Sequence, residues 1–168
     1  HRTPRQAGKA EWIRDLADLQ PDLVVATGDF MAHPDAVYPV TAALGPLLDI
    51  PGVFVFGSND YYAPKIGNPF TYLVGPTNYD RGEPDLPWPE LSSALSSGGW
   101  IDLSNRRDHI KVDGRLIDVR GVDDPHIGRD QYEPIAGPFD PTADLALGVS
   151  HAPYLRVLDA MADDGAQL

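Results

Sequence analysis

Three residues stand where apolar runs break into polar turns, and each can bind a borderline divalent cation: Asp29, Asn59 and His151. Asp29 follows Leu23-Val24-Val25-Ala26-Thr27-Gly28, Asn59 follows Val53-Phe54-Val55-Phe56-Gly57-Ser58, and His151 follows Leu145-Ala146-Leu147-Gly148-Val149-Ser150. They supply a carboxylate, an amide and an imidazole. Singly each has an ordinary explanation, since a strand-end Asp often caps a turn and a lone His is often simply hydrogen-bonded. Together, in a chain without cysteine, they favour a metal site over three unrelated turns. A different chemistry uses the same segment: Gly148-Val149-Ser150-His151-Ala152 resembles the nucleophile elbow of an α/β-hydrolase, with Ser150 attacking. That arrangement needs an acid and then a His further along, and no His follows His151.

The elements that must position these side chains are readable in outline. The three apolar runs have the β-branched and aromatic content of buried strands. Trp12, Ile13, Leu16 and Leu19 recur at helical spacing before Pro21. Val37, Val40, Leu44, Leu47 and Leu48 repeat that spacing, as do Tyr154, Leu155, Leu158 and Met161, with Pro153 suited to a first turn. Alternating strands and helices imply an α/β layered domain, in which ligands collect at the carboxyl ends of strands. Ile110, Val112, Leu116, Ile117 and Val119 flank Asp113-Gly114, a hairpin signature. Residues 63–89, proline-rich and without period, read as a loop able to cover whatever the Gly57–Asp60 turn does.

Composition narrows the function. Lys and Arg total 13 against 25 Asp and Glu among 168 residues, a formal charge of −12, which argues against a nucleic-acid-binding surface, since that needs a basic face to neutralise phosphates. The absence of cysteine removes disulfide scaffolds, thiolate zinc sites and cysteine nucleophiles. Hydrophobic residues make up 42%, enough for one core and against disorder. No apolar run approaches the roughly 20 residues that span a bilayer.

Gly28-Asp29, then Gly57-Ser58-Asn59-Asp60, then Gly148-Val149-Ser150-His151 resemble successive blocks of the calcineurin-like metallophosphoesterases, and the run into Gly28-Asp29 is similar to small bacterial members. That family uses Asp-x-His, Gly-Asp, Gly-Asn-His-Asp/Glu, a lone His and a closing Gly-His-x-His. The resemblance implies a four-layer αββα sandwich of two mixed sheets flanked by helices, incomplete at both termini, as one domain over residues 1–168. It also implies a hydrolase of phosphate esters or pyrophosphate carrying two divalent ions, Mn²⁺, Fe²⁺ or Zn²⁺. Asp29 matches the bridging carboxylate, His1 a ligand of the first metal, and Asn59 and His151 ligands of the second. Two such cations roughly 3.5–4 Å apart acidify a bridging water and clamp the phosphoryl oxygens.

Two departures qualify the match. The third block reads Gly-Ser-Asn-Asp, so either Asn59 has moved to the metal, which is the favoured reading, or Ser58 is a feeble ligand. The histidine that assists the leaving group is missing, and His126 or His33 could supply its proton. The catalytic candidates are therefore Asn59, Asp60 (orienting its turn) and His126. Ser58, His33 and Asp124, the last in the segment Gly121–His126, are the candidates for substrate contact. The Asp expected before His1 and the closing Gly-His-x-His after Leu168 are not in the sequence. The chain is accordingly expected to be the middle of a larger domain with exposed strand edges, to bind at most one ion weakly, and to turn over poorly. A non-catalytic binding module on the same fold is the alternative. The implied substrate is a small-molecule or lipid phosphate, and the implied location is cytoplasmic, or membrane-associated through a segment outside this chain.

Overall fold

The computed structural model describes residues 4–63 and 82–167. It is a mixed α/β fold with two three-stranded sheets and helices. In the first sheet β1 (Val24–Ala26), β2 (Gly52–Phe54) and β3 (Ile101–Asp102) lie in that order, all parallel. The second holds β4 (Arg106–Val112), β5 (Arg115–Gly121) and β6 (Leu145–Val149), with β4 antiparallel and β6 parallel to β5. The hairpin turn is the one expected: Asp113 and Gly114 both take positive φ, 47° and 77°, which matches the twist of the flanking strands.

Alternation along the strands assigns the cores. Val53 and Val55 join Leu103, Ile110, Val112, Ile117, Val119, Leu147 and Val149 in one apolar cluster, which therefore draws on both sheets. Phe54 and Phe56 point the other way, into a cluster with Leu44 and Leu47 of α2 (Val37–Leu48) and Leu91 and Leu95 of α4 (Trp88–Ser97). Beyond β5 a third cluster unites Val122, Ile135 and two residues of α5 (Leu155–Asp163), Val157 and Met161. Each fully buried Leu or Phe here is worth roughly 1.5–3 kcal/mol relative to exposure.

The helices depart from expectation in instructive places. In α1 (Pro4–Asp15) Ile13 packs on the first core, followed by Leu16 and Ala17, but Trp12 is 63% and Leu19 75% exposed. Helical period alone does not say how wide the buried face is. Pro46 lies inside α2 and cannot donate to the Ala42 carbonyl. Arg14 Nε donates to that carbonyl instead, at 3.4 Å. Pro153 lies ahead of α5 rather than in its first turn. The reading of residues 63–89 as one loop is corrected at its end, because Trp88 and Pro89 open α4. Residues 64–81 lie outside the described residues, but the base of that stretch is pinned: Ala63 N donates to Asp85 Oδ1 at 2.7 Å, and Asp85 N and Leu86 N both donate to the Tyr61 carbonyl.

Among the described residues β1 pairs only with β2, and its Val25 is 40% exposed. At β6, Gln167 exchanges two hydrogen bonds with Ala146, one through its backbone and one through its side chain. No described helix is long and apolar enough to cross a membrane.

Candidate functional site

The ends of β1, β2 and β6 meet. Gly28 takes φ 91° and Asp29 φ 61°, so the chain turns sharply directly after β1. A Cβ on Gly28 would stand 2.4 Å from the Gly57 nitrogen, which excludes any side chain there. A left-handed Asp costs roughly 1–2 kcal/mol, and the offset comes from Asp60. Its carboxylate, with no exposure, accepts from the backbone nitrogens of Asp29 (2.7 Å), Phe30 (2.7 Å), Met31 (3.0 Å) and Gly57 (3.0 Å). One side chain in the short helix α3 (Ser58–Tyr61) therefore holds both strand-end turns in register. Burial pushes the Asp60 carboxyl up from the ordinary aspartate range, and the four amides pull against it.

The Asp29 carboxylate stands over this platform. Oδ1 accepts from Asn59 N at 3.0 Å and Oδ2 from Asn59 Nδ2 at 2.8 Å. His151 approaches from the third strand end. Its Nδ1 sits on the Thr27 carbonyl oxygen, and its Nε2 is 3.7 Å from Asp29 Oδ1. A carbonyl only accepts, so Nδ1 carries a proton, and in the neutral ring Nε2 is the nitrogen left with a lone pair on the side of the carboxylate. At 3.7 Å the two atoms are too far apart for a hydrogen bond, but they suit a shared cation with bonds of roughly 2.1 Å to each. A Cβ on Gly57 would come within 2.4 Å of Asp29 Oδ1 and 2.5 Å of the His151 ring, so glycine makes their approach possible. An imidazole whose other nitrogen is tied to a backbone carbonyl has the usual arrangement of a metal ligand.

A further buried carboxylate lies in the loop after β5. Asp124 is fully buried and caps the turn Pro125–Ile127 by accepting from His126 N at 2.7 Å. Its Oδ2 is buried with no hydrogen-bond partner. Burial pushes this carboxyl up, while the His126 amide and then the charges of His151 and His126 pull it down. An unpaired buried carboxylate oxygen is costly, and burial favours its protonated form. Among the described residues no group of three or more His, Cys, Asp or Glu gathers into a ready cluster, so the fit rests on Asp29, His151 and the Asn59 amide.

The other candidates are more dispersed. His1 lies outside the described residues. Ser58 opens α3 and is half-buried. His33 is exposed and accepts from Asp35 N at 3.2 Å, capping the turn Pro34–Ala36. His126 is exposed, with its Nδ1 3.3 Å from the Tyr154 hydroxyl. Ser150 donates its hydroxyl to the Ala152 carbonyl at 2.9 Å, and no imidazole among the described residues accepts that proton.

Sequence reasoning missed a neighbouring cluster. Tyr61, 1% exposed, donates to Asp123, and Arg129 Nε donates to Asp123 Oδ2 at 3.0 Å while its guanidinium lies 4.0 Å over the Tyr61 ring. Burial, with Asp123 beside it, drives the Tyr61 hydroxyl well above its ordinary value, so it stays a donor. The segment Gly121–His126 holds the substrate-contact candidate Asp124, but nothing in the spacing ties it to residues 61 or 129. No protein-family model matches this chain, and no curated protein sequence matches it.

Proposed function

We propose that this chain carries the core of a metal-dependent phosphoesterase site, acting on a phosphate ester or pyrophosphate of a small molecule or lipid. The observation that carries the reading is the His151 imidazole, anchored through Nδ1 on Thr27 and aimed through Nε2 at Asp29. Asp29 and His151 would hold a divalent ion, Mn²⁺, Fe²⁺ or Zn²⁺. Asn59 would join them by turning its amide so that Oδ1 replaces Nδ2, at the cost of the 2.8 Å bond to Asp29. The second ion that the resemblance implies draws on His1, outside the described residues.

When bound, the metal lowers the pKa of a coordinated water and offsets phosphoryl charge, so a chain of net charge −12 can still take an anion. Asp60 keeps the two turns at fixed separation. His126 is the candidate for delivering a proton to the leaving oxygen, with Tyr154 steering its ring. The three apolar clusters, one drawing on both sheets and one on each outer side, support the four-layer αββα arrangement for the same reading. A cytoplasmic or peripheral location belongs to the same proposal.

Hydrolysis of p-nitrophenyl phosphate with and without Mn²⁺ is the test. Metal-dependent turnover that falls roughly 100-fold or more in Asp29→Asn and His151→Ala is expected, the range for losing a charge-stabilising group. Turnover indifferent to chelator would sink the reading. One observation favours a binding module instead: the third block has an amide, Asn59, where the resembled family has an imidazole. Mn²⁺ binding without hydrolysis would support that alternative.

A further inference from the structure

The cations of this acidic chain differ in how they are held. Arg106, Arg107, Lys111 and Arg115 of the β4–β5 hairpin are exposed, Arg120 is sealed beside Asp164, and Arg156 is gripped by both carboxylate oxygens of Asp130. Arg129 is different. Its backbone nitrogen donates to the Asp124 carbonyl at 3.1 Å, and its carbonyl accepts from Asn105 Nδ2 at 3.0 Å, so the residue is pinned on both sides. Its guanidinium is placed by Asp123 through Nε and lies 4.0 Å from the Tyr61 ring centroid and 5.8 Å from that of Trp88. The side chain is nevertheless 34% exposed. Nε is spent on Asp123 and the guanidinium also lies against the Tyr61 hydroxyl, while the planar fork of the two Nη groups has the geometry that matches a phosphate or carboxylate.

Arg129 also belongs to the neighbourhood of the site. It stacks on Tyr61 of α3, the helix whose Asn59 meets Asp29, and its backbone nitrogen is bonded to Asp124. We propose that Arg129 is a specificity residue that grips a second anionic group of the substrate, beyond the phosphoryl group being hydrolysed. The inference rests on the phosphoesterase reading and narrows its substrate to compounds with two anionic groups, as in a diphosphate or a phosphodiester with a charged head. An immobilised guanidinium binds such a group with little loss of side-chain freedom, which is where rigid placement helps affinity.

Two non-hydrolysable probes test it, methylphosphonate with one anionic group and methylenediphosphonate with two, titrated calorimetrically into the chain in Mn²⁺. The wild type is expected to prefer the diphosphonate by about tenfold or more. Arg129→Met, which keeps the stem over Tyr61, should lose that preference while methylphosphonate affinity stays within about twofold, and Arg129→Lys should recover part of it. A diphosphonate preference unchanged in Arg129→Met, or no preference in the wild type, overturns the assignment of Arg129 alone. Neither probe binding the wild type overturns the phosphoesterase reading as well. If the Met variant melts far below the wild type, the Lys variant decides: full wild-type preference there removes the need for a forked donor and refutes the proposal.

Discussion

β5 and the loop after it carry two buried ionic clusters of opposite design. Around Arg120 the charge is closed. Nη1 donates to the Gly137 carbonyl at 2.6 Å, Asp164 Oδ2 at 3.1 Å and the Tyr132 hydroxyl at 3.3 Å, and the Phe139 ring covers the guanidinium at 3.9 Å. The counter-ion Asp164 is itself filled by Tyr132 and Gly137. Around Asp124 the charge is open, with one oxygen capping a turn and the other facing no donor. Each cluster strands one buried atom, Arg120 Nε or Asp124 Oδ2, but only Arg120 has a full opposite charge beside it. The difference teaches that burial of charge serves two ends here. The first cluster ties the C-terminal end of α5 to the loop at residue 137. The second leaves one buried carboxylate oxygen without a donor.

The sharpest way to break this contrast is to remove the closed charge. Arg120→Met should cost roughly 3–5 kcal/mol in urea denaturation, the usual penalty for breaking a buried pair. Asp29→Asn and His151→Ala should stay within about 1 kcal/mol of wild type while abolishing Mn²⁺ binding. Equal losses in both regions would mean that the site is structural too. Asp60→Ala is the next largest. It touches the site but acts through backbone, stranding the nitrogens of Gly57, Asp29, Phe30 and Met31, for a loss of roughly 2–4 kcal/mol. Mn²⁺ binding should fall with it, whereas Asp60→Asn, which keeps one acceptor oxygen, should lose less of both.

This contrast also marks what could be read from residues alone. Asp29, Asn59 and His151 were legible because each ends an apolar run, and strand ends in an α/β fold converge. The hairpin was legible because Asp113-Gly114 tolerates two positive φ angles. Asp60 was legible only as a turn residue, since accepting four backbone amides leaves no mark in the sequence. Arg120 sits in a strand whose pattern, Leu116 to Val119, gives no hint that a charge 44 residues away will neutralise it. Tyr61, Asp123 and Arg129 were invisible for the same reason, because their contact spans 62 residues. Helix α4 was missed because prolines dominated the reading of residues 63–89, although Leu91 and Leu95 at one-turn spacing before Gly98-Gly99 do mark a short helix.

pH separates the two clusters by sign. Tyr132, Gly137 and the Arg120 charge hold Asp164 below the ordinary value of 3.8, so its stabilisation is full above 3.8 and is lost as pH falls through its lowered pKa. Asp124 is pushed above 3.8 by burial, so the metal-free fold binds its proton more tightly than the unfolded chain, and stability declines as pH rises through and above 3.8. In metal-free denaturation from pH 3 to 7, Asp124→Asn should therefore gain on wild type as pH rises. Asp164→Asn should fall behind only at the acid end of that range, as pH rises past 3.8, and hold a constant deficit above it. Parallel profiles for the two variants would remove the distinction between an open and a closed cluster.

The smallest effect lies between the two designs. Arg156 donates through both Nη groups to Asp130, holding that carboxyl below its ordinary value, and lies 5.6 Å over the Tyr154 ring beside His126. Two hydrogen bonds to a carboxylate whose side chain is only 4% exposed argue for a large contribution, but the Arg156 side chain is 57% exposed. Solvent screening and the side-chain entropy of a long, exposed arginine decide the balance. Arg156→Ala should cost under about 1 kcal/mol and weaken further as a perturbation in 1 M salt. It should still alter the pH profile of any Mn²⁺-dependent phosphatase activity, by releasing Tyr154 from its place against His126. A loss near that of Arg120→Met would show that the wall carrying His126 is built like the closed cluster. An unchanged pH profile would show that Tyr154 does not steer His126.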